Sequence, residues 1–479
     1  MAFPDELFFA PASELLTMLR SRQVSAAELI SAFIDRIESL NPHLRSVVTL
    51  CEERAAVEAD EADRRLSGRE DVRPLEGLPI TVKDSIETKG VRTTAGMKIF
   101  EHHVPHEDAP TVARLRAAGA IVVGKTNLPE MALDYDCENP VFGATNNPWN
   151  SGRVPGGSSG GEAASLASGL CALGIGSDYG GSIRIPAHFC GVVGLKPTWG
   201  TIPVTGHIPP LPPSITGTPP IMSMATIGPM ARYVDDLTLE YNLIRGPHPS
   251  APYTVPSLEA HPEIVNLEQV TCAYFTGVEA GVPIAAEIRA AVERAATALS
   301  KLGVAVEHKT PPIKDAARIW MEYATADGGE LLRAQLGTRV NLSRERLRQA
   351  FLAPAPSKSA AEFFTTAIER DVYRIHLAQF MERYPIIIGA PFCVTAFEHG
   401  GTEVNVDGKR FPLFAANWPA LWVNCAGLPA AVVPAGCDRD GLPIGVQIVG
   451  RAFEEETVLA VAKALEQELR GFRKPPLPH

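Results

Sequence analysis

Two glycine-flanked serine clusters carry the residues best suited to covalent chemistry. The first is Gly156-Gly157-Ser158-Ser159-Gly160-Gly161, and the second is Gly180-Gly181-Ser182. Glycines on both sides of a serine expose its hydroxyl and the neighbouring backbone N–H groups, which is what a nucleophile with an oxyanion-binding site requires. Lys83, well upstream in PITVKDSI, is a basic residue that could activate such a serine.

Short apolar segments and small-residue helices must position these groups. Residues Pro79 to Val82 read as a buried strand with Lys83 at its end. Residues Glu162 to Leu173 are rich in Ala, Ser and Leu and predict a helix after the first serine cluster. The chain from Ile183 onward predicts mixed strand and turn, and residues Ile202 to Pro220 predict a loop.

The rest of the chain alternates between helical and strand-like segments, which predicts an α/β fold. Ser25 and Glu28 form a capping-box pattern for an early helix, which Asn41-Pro42 is expected to end. Further helices are predicted at 111–118, 285–302, 454–469 and through most of 314–384. Further strands are predicted at 120–123, 304–307, 386–388, 430–433 and 444–449.

Composition narrows the class of protein. The 479 residues are 45% hydrophobic with a net charge of −11 and no basic stripe, which argues against a nucleic-acid surface. The N-terminus lacks a basic signal region, no apolar run is long enough to cross a membrane, and eight scattered cysteines are typical of reduced thiols. We therefore expect a cytoplasmic protein. With no visible linker, residues 1–479 are expected to form one domain with a variable, largely helical region at about 314–384.

Three other motifs could indicate a functional site of a different kind. Residues 119–126 (GAIVVGKT) match the phosphate-binding loop formally, but a predicted strand occupies the part that should be flexible. Residues 157–161 match G-x-S-x-G, for which His376 or His399 could be nominated as the base. Three histidines have loose metal-ligand spacing beside acidic residues that favour a solvated loop; they are His102, His103 and His106.

Several motifs in one order resemble the amidase signature family. They are PITVKD, GKTNLPE, PGGSSGGEAAS, GSDYGGSIRIPA, GVVGLKPT, NCAGLPAAVVPAG and GLPIGVQIVG. The resemblance covers most of the chain and weakens between about 240 and 380. It implies an α/β amidase-signature fold, in which helices cover both faces of a large mixed β-sheet.

The resemblance also implies a Ser–cis-Ser–Lys triad. Ser182 matches the nucleophile, Ser158 matches the bridging serine that follows a cis peptide bond, and Lys83 matches the base. A lysine can accept a proton only when neutral, and burial favours its neutral form. The oxyanion hole is expected from the backbone N–H groups of Tyr179, Gly180, Gly181 and Ser182. Two residues are expected to support that loop, Asp178 and Arg184, whose role could also be purely structural.

What the family does suggests the activity of this chain. We expect hydrolysis of neutral, largely apolar amides, with esters, anilides and carbamates (urethanase-like activity) as open possibilities. The expected pocket includes Met131, Tyr135 and Ile202, and no metal or cofactor is expected. The expected partner is the small-molecule substrate alone, with no nucleic acid or membrane and a monomeric or homodimeric state.

Two alternatives to this function are open. The first is the amidotransferase subunit of a tRNA-dependent complex, whose signature usually has glutamine after Ser-Ile-Arg, where this chain has Ile185. The second is a catalytically silent binding protein with the same fold, against which the intact Lys83, Ser158 and Ser182 argue.

Overall fold

The structure, a computed structural model, describes residues 4–68, 72–210, 223–279, 281–343, 345–348, 353 and 356–477. Residues 211–220 of the predicted 202–220 loop lie outside the described residues. Within the described ranges, no helix has the length and apolar content needed to cross a bilayer.

One mixed sheet of eleven strands organises the molecule. In chain order the strands of the described residues, including four outside this sheet, are β1 (Val47–Leu50), β2 (Pro79–Lys83), β3 (Ile121–Thr126), β4 (Glu138–Asn139), β5 (Gly143–Ala144), β6 (Leu173–Asp178), β7 (Val193–Lys196), β8 (Thr226–Ala231), β9 (Thr271–Tyr274), β10 (Ala305–His308), β11 (Ile386–Gly389), β12 (Glu403–Val406), β13 (Lys409–Pro412), β14 (Ala430–Cys437) and β15 (Pro443–Gly450). The large sheet has the order β1-β3-β2-β6-β8-β7-β14-β15-β11-β9-β10, and β4-β5 and β12-β13 form two small hairpins.

Helices cover both faces of this sheet. They are α1 (Ala12–Arg20), α2 (Ala26–Leu44), α3 (Glu52–Gly68), α4 (Pro110–Ala117), α5 (Gly160–Ala167), α6 (Arg184–Cys190), α7 (Val234–Ile244), α8 (Ala286–Lys301), α9 (Ala316–Ala324), α10 (Glu330–Leu336), α11 (Glu345–Leu347), α12 (Ala360–Arg383), α13 (Trp418–Ala426) and α14 (Glu455–Glu468). The predicted α/β class with a large mixed sheet is confirmed. The prediction of a single domain with a variable 314–384 region stays a prediction.

The centre of the sheet positions the serine and lysine motifs. β2 pairs in parallel with β3 and with β6, and β6 pairs antiparallel with β8. All residues of β2, β3 and β6 are buried, as expected for strands covered on both faces. Because β2 and β6 are parallel neighbours, their carboxyl ends lie at the same edge, where Lys83 and Asp178 end their strands.

Three local predictions differ from the structure. The capping box of Ser25 and Glu28 is present, but α2 continues through Pro42 to Leu44, because a proline in the last turn removes only one helical hydrogen bond. The predicted 162–173 helix is shorter, because Gly169 has a φ of 68° and Leu173 already begins β6. The segment after Ile183 forms α6, which is not predicted from the sequence because seven residues are too few to show a helical period.

Candidate active site

Lys83 lies at the carboxyl end of β2 and is completely buried. Its Nζ atom is 2.7 Å from Ser158 Oγ, 3.0 Å from Ser159 Oγ and 2.9 Å from Ser177 Oγ. Three hydroxyl groups therefore surround the amine, and none of them carries a formal charge.

Burial controls the ionisation of Lys83. Removal of the ammonium group from water lowers its pKa from 10.5 to about 7, although Cys137, Asp178 and Glu162 partly oppose the shift. The Glu162 carboxyl does not contact Lys83, since it is hydrogen-bonded to Thr81 and to Thr126. The result is a lysine that is substantially neutral near pH 7, as a general base must be.

Ser158 follows a glycine that no other residue could replace. The Gly157–Ser158 peptide bond is cis, as predicted. A Cβ atom added to Gly157 would lie 2.4 Å from the carbonyl oxygen of Asp134, a distance that real Cβ atoms do not reach. This close approach of two backbone segments presents the Ser158 hydroxyl to Lys83, and Ser158 is only 1% exposed.

Ser182 lies in the tight loop between β6 and α6. Its backbone carbonyl accepts a 3.0 Å hydrogen bond from the Ser159 N–H, which ties the two serine clusters together. Gly181 has a φ of 102°, a left-handed conformation that favours glycine. Ser182 is 5% exposed, and the predicted triad residues Lys83, Ser158 and Ser182 are brought into one region.

Asp178 and Arg184 stabilise this loop through hydrogen bonds and an ion pair. The Asp178 carboxylate accepts hydrogen bonds from the N–H groups of Gly181 at 2.8 Å and Ile183 at 3.1 Å, and it forms a two-point pair with Arg184 at 3.0 Å for each contact. Burial alone would raise the pKa of Asp178, but the charge and hydrogen bonds of Arg184 hold it well below its ordinary value. Both side chains are completely buried. Because the Gly181 N–H points at Asp178, it is occupied in this state of the loop.

Three residues around Lys83 were not identified from the sequence as site residues. They are Ser159 and Ser177, which contact the amine, and His207, whose Nε2 lies 2.8 Å from Ser177 Oγ. Ser159 is part of the first glycine-flanked cluster and could have been found there. Ser177 and His207 belong to no spacing that indicates a site, because the pairing of β2 with β6 brings Ser177 to Lys83 and the backbone bridge between Ile86 and His207 brings the imidazole there.

The predicted pocket residues lie in different environments. Tyr135 is buried and its hydroxyl accepts a hydrogen bond from Asn417 Nδ2, which also donates to Gly180 O at 2.8 Å. Met131 is half-buried and packs in a separate apolar cluster with Leu336 of α10. Ile202 is 1% exposed in the main core. Their role as pocket residues stays a prediction.

Two residues of the competing motifs, Lys125 and His399, make contacts with other parts of the protein. Lys125 of the GAIVVGKT segment is buried in β3, where its Nζ atom donates to Ile86 O at 2.5 Å and to the hydroxyls of Thr88 and Thr93 at 2.9 Å each. His399 lies 3.5 Å from Asp136 Oδ1. Among the described residues, no group of three His, Cys, Asp or Glu side chains could hold a metal ion.

Comparison with known proteins identifies the family. The amidase family model matches residues 28–459. The chain belongs to the amidase signature family. This amidase-signature chain is 33% identical to a glutamyl-tRNA(Gln) amidotransferase subunit of Carboxydothermus hydrogenoformans, over 98% of this chain and 99% of that protein.

Solved structures agree with the family assignment. One, described as an unexpected vestigial protein complex that reveals the evolutionary origins of an s-triazine catabolic enzyme, superimposes with a TM-score of 0.88 at 29% identity and covers 97% of this chain and all of that chain. A bacterial aryl acylamidase of the same family superimposes with a TM-score of 0.84 at 26% identity and covers 96% of each chain. The family is one of hydrolases that act on C–N bonds.

These comparisons correct one expectation. From the sequence we expect a monomer or homodimer with no nucleic-acid partner. That expectation is wrong, because the curated relatives are named as subunits of a tRNA-linked amidotransferase. A negative net charge excludes only a broad basic surface on this chain, and it does not report what partner subunits bind.

Proposed function

We propose that this chain hydrolyses amide bonds through an acyl-enzyme on Ser182. The observation that carries the proposal is the 2.7 Å contact between the buried Lys83 Nζ and Ser158 Oγ. A serine hydroxyl is a weak nucleophile until a base removes its proton, and a lysine whose pKa is about 7 can serve as that base.

The proposed reaction has two stages. Ser182 Oγ bonds to the substrate carbonyl carbon while its proton passes to Ser158 Oγ and the proton of Ser158 passes to Lys83 Nζ. The C–N bond then breaks, and the protons return through Ser158 to the departing amine. In the second stage water attacks the ester and delivers its proton along the same route, which releases the acid and restores Ser182.

Backbone donors in the 179–182 loop would stabilise the tetrahedral oxyanion. The N–H groups of Gly180 and Ser182 have no acceptor among the described residues, so we assign them the principal role, with Tyr179 beside them. The Gly181 N–H, although expected to contribute, is the least available because it donates to Asp178. Loss of one such donor costs a serine hydrolase about 10²- to 10³-fold in kcat.

Covalent labelling tests the assignment without knowledge of the substrate. A fluorophosphonate should modify Ser182 alone in the intact protein, and Ser182→Ala should abolish the modification. Ser158→Ala should slow it by several orders of magnitude, because residues of one proton relay act together. The exposed Ser151→Ala is the matched control and should label like the wild type. Modification of Ser159 in place of Ser182 would contradict the proposal.

The first candidate for substrate is the amide donor of a tRNA-dependent amidotransferase. The 33% identity to an amidotransferase subunit over 98% of this chain favours it, and partner subunits and tRNA would then be required. Glutamine hydrolysis should appear when this chain is combined with such partners and tRNA. Failure of this chain to bind them would reject this candidate while leaving amide hydrolysis intact.

The second candidate is a neutral apolar amide, anilide or carbamate. Aromatic packing at the 179–182 loop favours this candidate, since apolar and aryl groups pack well against aromatic rings. The ring centre of Trp320 of α9 lies 4.7 Å from that of Tyr179, and Trp320 Nε1–H donates to Tyr179 O at 3.0 Å. Ile185, in place of the glutamine usual in the amidotransferase signature, is completely buried. A panel of anilides and aryl carbamates should give a higher kcat/KM than glutamine for the chain alone, and Trp320→Ala should lower it. A preference for glutamine would reject this candidate.

A further inference from the structure

His207 lies beside the proposed base although no motif in the sequence marks it. Backbone hydrogen bonds of 2.8 and 2.6 Å hold residues 206–208 against residues 85–87, and Ile86 forms an isolated antiparallel bridge with His207. Residues 85–87 follow β2 almost directly, so this contact fixes the imidazole near Lys83. The fixed backbone brings His207 Nε2 to 2.8 Å from Ser177 Oγ.

The hydrogen-bond donors and acceptors around Lys83 indicate a role for the His207 imidazole. A neutral amine has two N–H groups and one lone pair, and the lone pair must face Ser158 to receive the relayed proton. The two N–H groups then point to Ser159 Oγ and Ser177 Oγ. The Ser159 hydroxyl can donate to the carbonyl of Ser177 at 3.3 Å. The Ser177 hydroxyl has only His207 Nε2 as another acceptor among the described residues.

We infer that His207 is a positioning residue for the base. By accepting the Ser177 proton at Nε2, in the tautomer with hydrogen on Nδ1, it keeps the lone pair of Lys83 directed at Ser158. The inference rests on the proposed function. Burial and the charge of Lys83 lower the pKa of His207 to about 3, so its ring is neutral wherever the enzyme would work. The other groups that influence Lys83 are Cys137, Asp178 and Glu162.

Removal of the acceptor has two measurable consequences. In His207→Leu the Ser177 hydroxyl has no other acceptor among the described residues and turns to the Lys83 lone pair, where it competes with Ser158. The plateau rate of Ser182 modification should fall about tenfold, the population change expected from one misdirected hydrogen bond. Protonated Lys83 would leave that hydroxyl without an acceptor, so the acid limb of the pH–rate profile should move about one unit lower. A purely structural role would not lower the limb.

Two further comparisons separate positioning from loss of packing. Gln can present an oxygen close to the position of Nε2, whereas Asn is too short, so His207→Gln should keep the wild-type profile and His207→Asn should resemble His207→Leu. In a Ser177→Ala background the misdirected proton does not exist, so adding His207→Leu should change neither plateau nor limb. The exposed His106→Leu is a matched control that should label like the wild type.

The experiment measures fluorophosphonate labelling of Ser182 against pH in the full-length chain and these variants. The inference fails if His207→Leu keeps both plateau and acid limb, if Asn restores the profile as well as Gln, or if the effect of His207→Leu persists without the Ser177 hydroxyl. Absence of Ser182 labelling in the wild type would reject the proposed function itself, and this inference with it.

Discussion

Replacement of Lys83 by methionine tests whether the protein holds a neutral lysine at its centre. The side chain is completely buried, and its pKa falls from 10.5 to about 7 on folding because burial disfavours the ammonium ion. Between these two values the unfolded chain binds more protons than the folded one. Rising pH therefore stabilises the folded wild-type protein through this group, and Lys83→Met removes that dependence.

The size of the effect follows from the two pKa values. Protonated Lys83 destabilises the folded state by about 5 kcal/mol relative to an unshifted lysine, at 1.36 kcal/mol per unit. From about pH 7.5 to about pH 9.5 the wild type should gain about 2.5 kcal/mol over Lys83→Met. With an unfolding entropy of about 1 kcal/mol/K for a chain of this length, that gain corresponds to a relative rise in Tm of about 2 to 3 °C.

Thermal unfolding of both proteins at the two pH values is the assay. The three hydroxyls that lose their partner, Ser158, Ser159 and Ser177, add an offset that does not depend on pH and cancels in the difference. The other buried lysines, Lys125 and Lys196, are present in both proteins and cancel too. Parallel Tm-against-pH curves would refute the reasoning, because they would mean that Lys83 has the same pKa in the folded and unfolded chain.

Four other outcomes are expected. Wild-type kcat/KM should rise with pH to a plateau, and near pH 6 it should be about a tenth of the plateau value, because only neutral Lys83 accepts a proton. A profile flat from pH 5 to 9 would contradict this. Lys83→Met should lose several orders of magnitude in kcat, measured with any substrate that the wild type turns over. Arg184→Met should lower Tm by about 3 to 5 °C, since it leaves buried Asp178 without its partner, whereas the exposed Arg410→Met should not. EDTA should leave activity unchanged, and loss restored by added zinc would count against the mechanism.

Local sequence patterns predict the structure correctly where each pattern has one physical meaning. The capping box of Ser25 and Glu28 marks a helix start because both side chains satisfy backbone donors within one turn. The mostly apolar segment Pro79 to Val82 before Lys83 predicts a buried strand, and the structure has it as β2. The family resemblance implies a cis peptide bond before Ser158, and the structure has it between Gly157 and Ser158.

Local patterns do not predict the structure where residues distant in sequence but close in space decide it. Helix α6 is too short to show a period, and its first residue Arg184 is held by the carboxylate of Asp178 and by Asn424 of α13. The Asn41-Pro42 pair predicts the end of α2, but the helix continues for two residues beyond Pro42. Partners were also misjudged, because net charge describes this chain alone.

By itself, the sequence determines the α/β class and the family, and it predicts that Lys83, Ser158 and Ser182 form the triad. These depend on local pattern and on motif order. Only the tertiary structure decided that Ser177 and His207 lie close to Lys83, because their contacts depend on the parallel pairing of β2 with β6 and on the bridge at Ile86. It also decided the ionisation of Lys83, since a pKa follows from the burial and charges that surround a group in three dimensions, and no spacing along the chain records them.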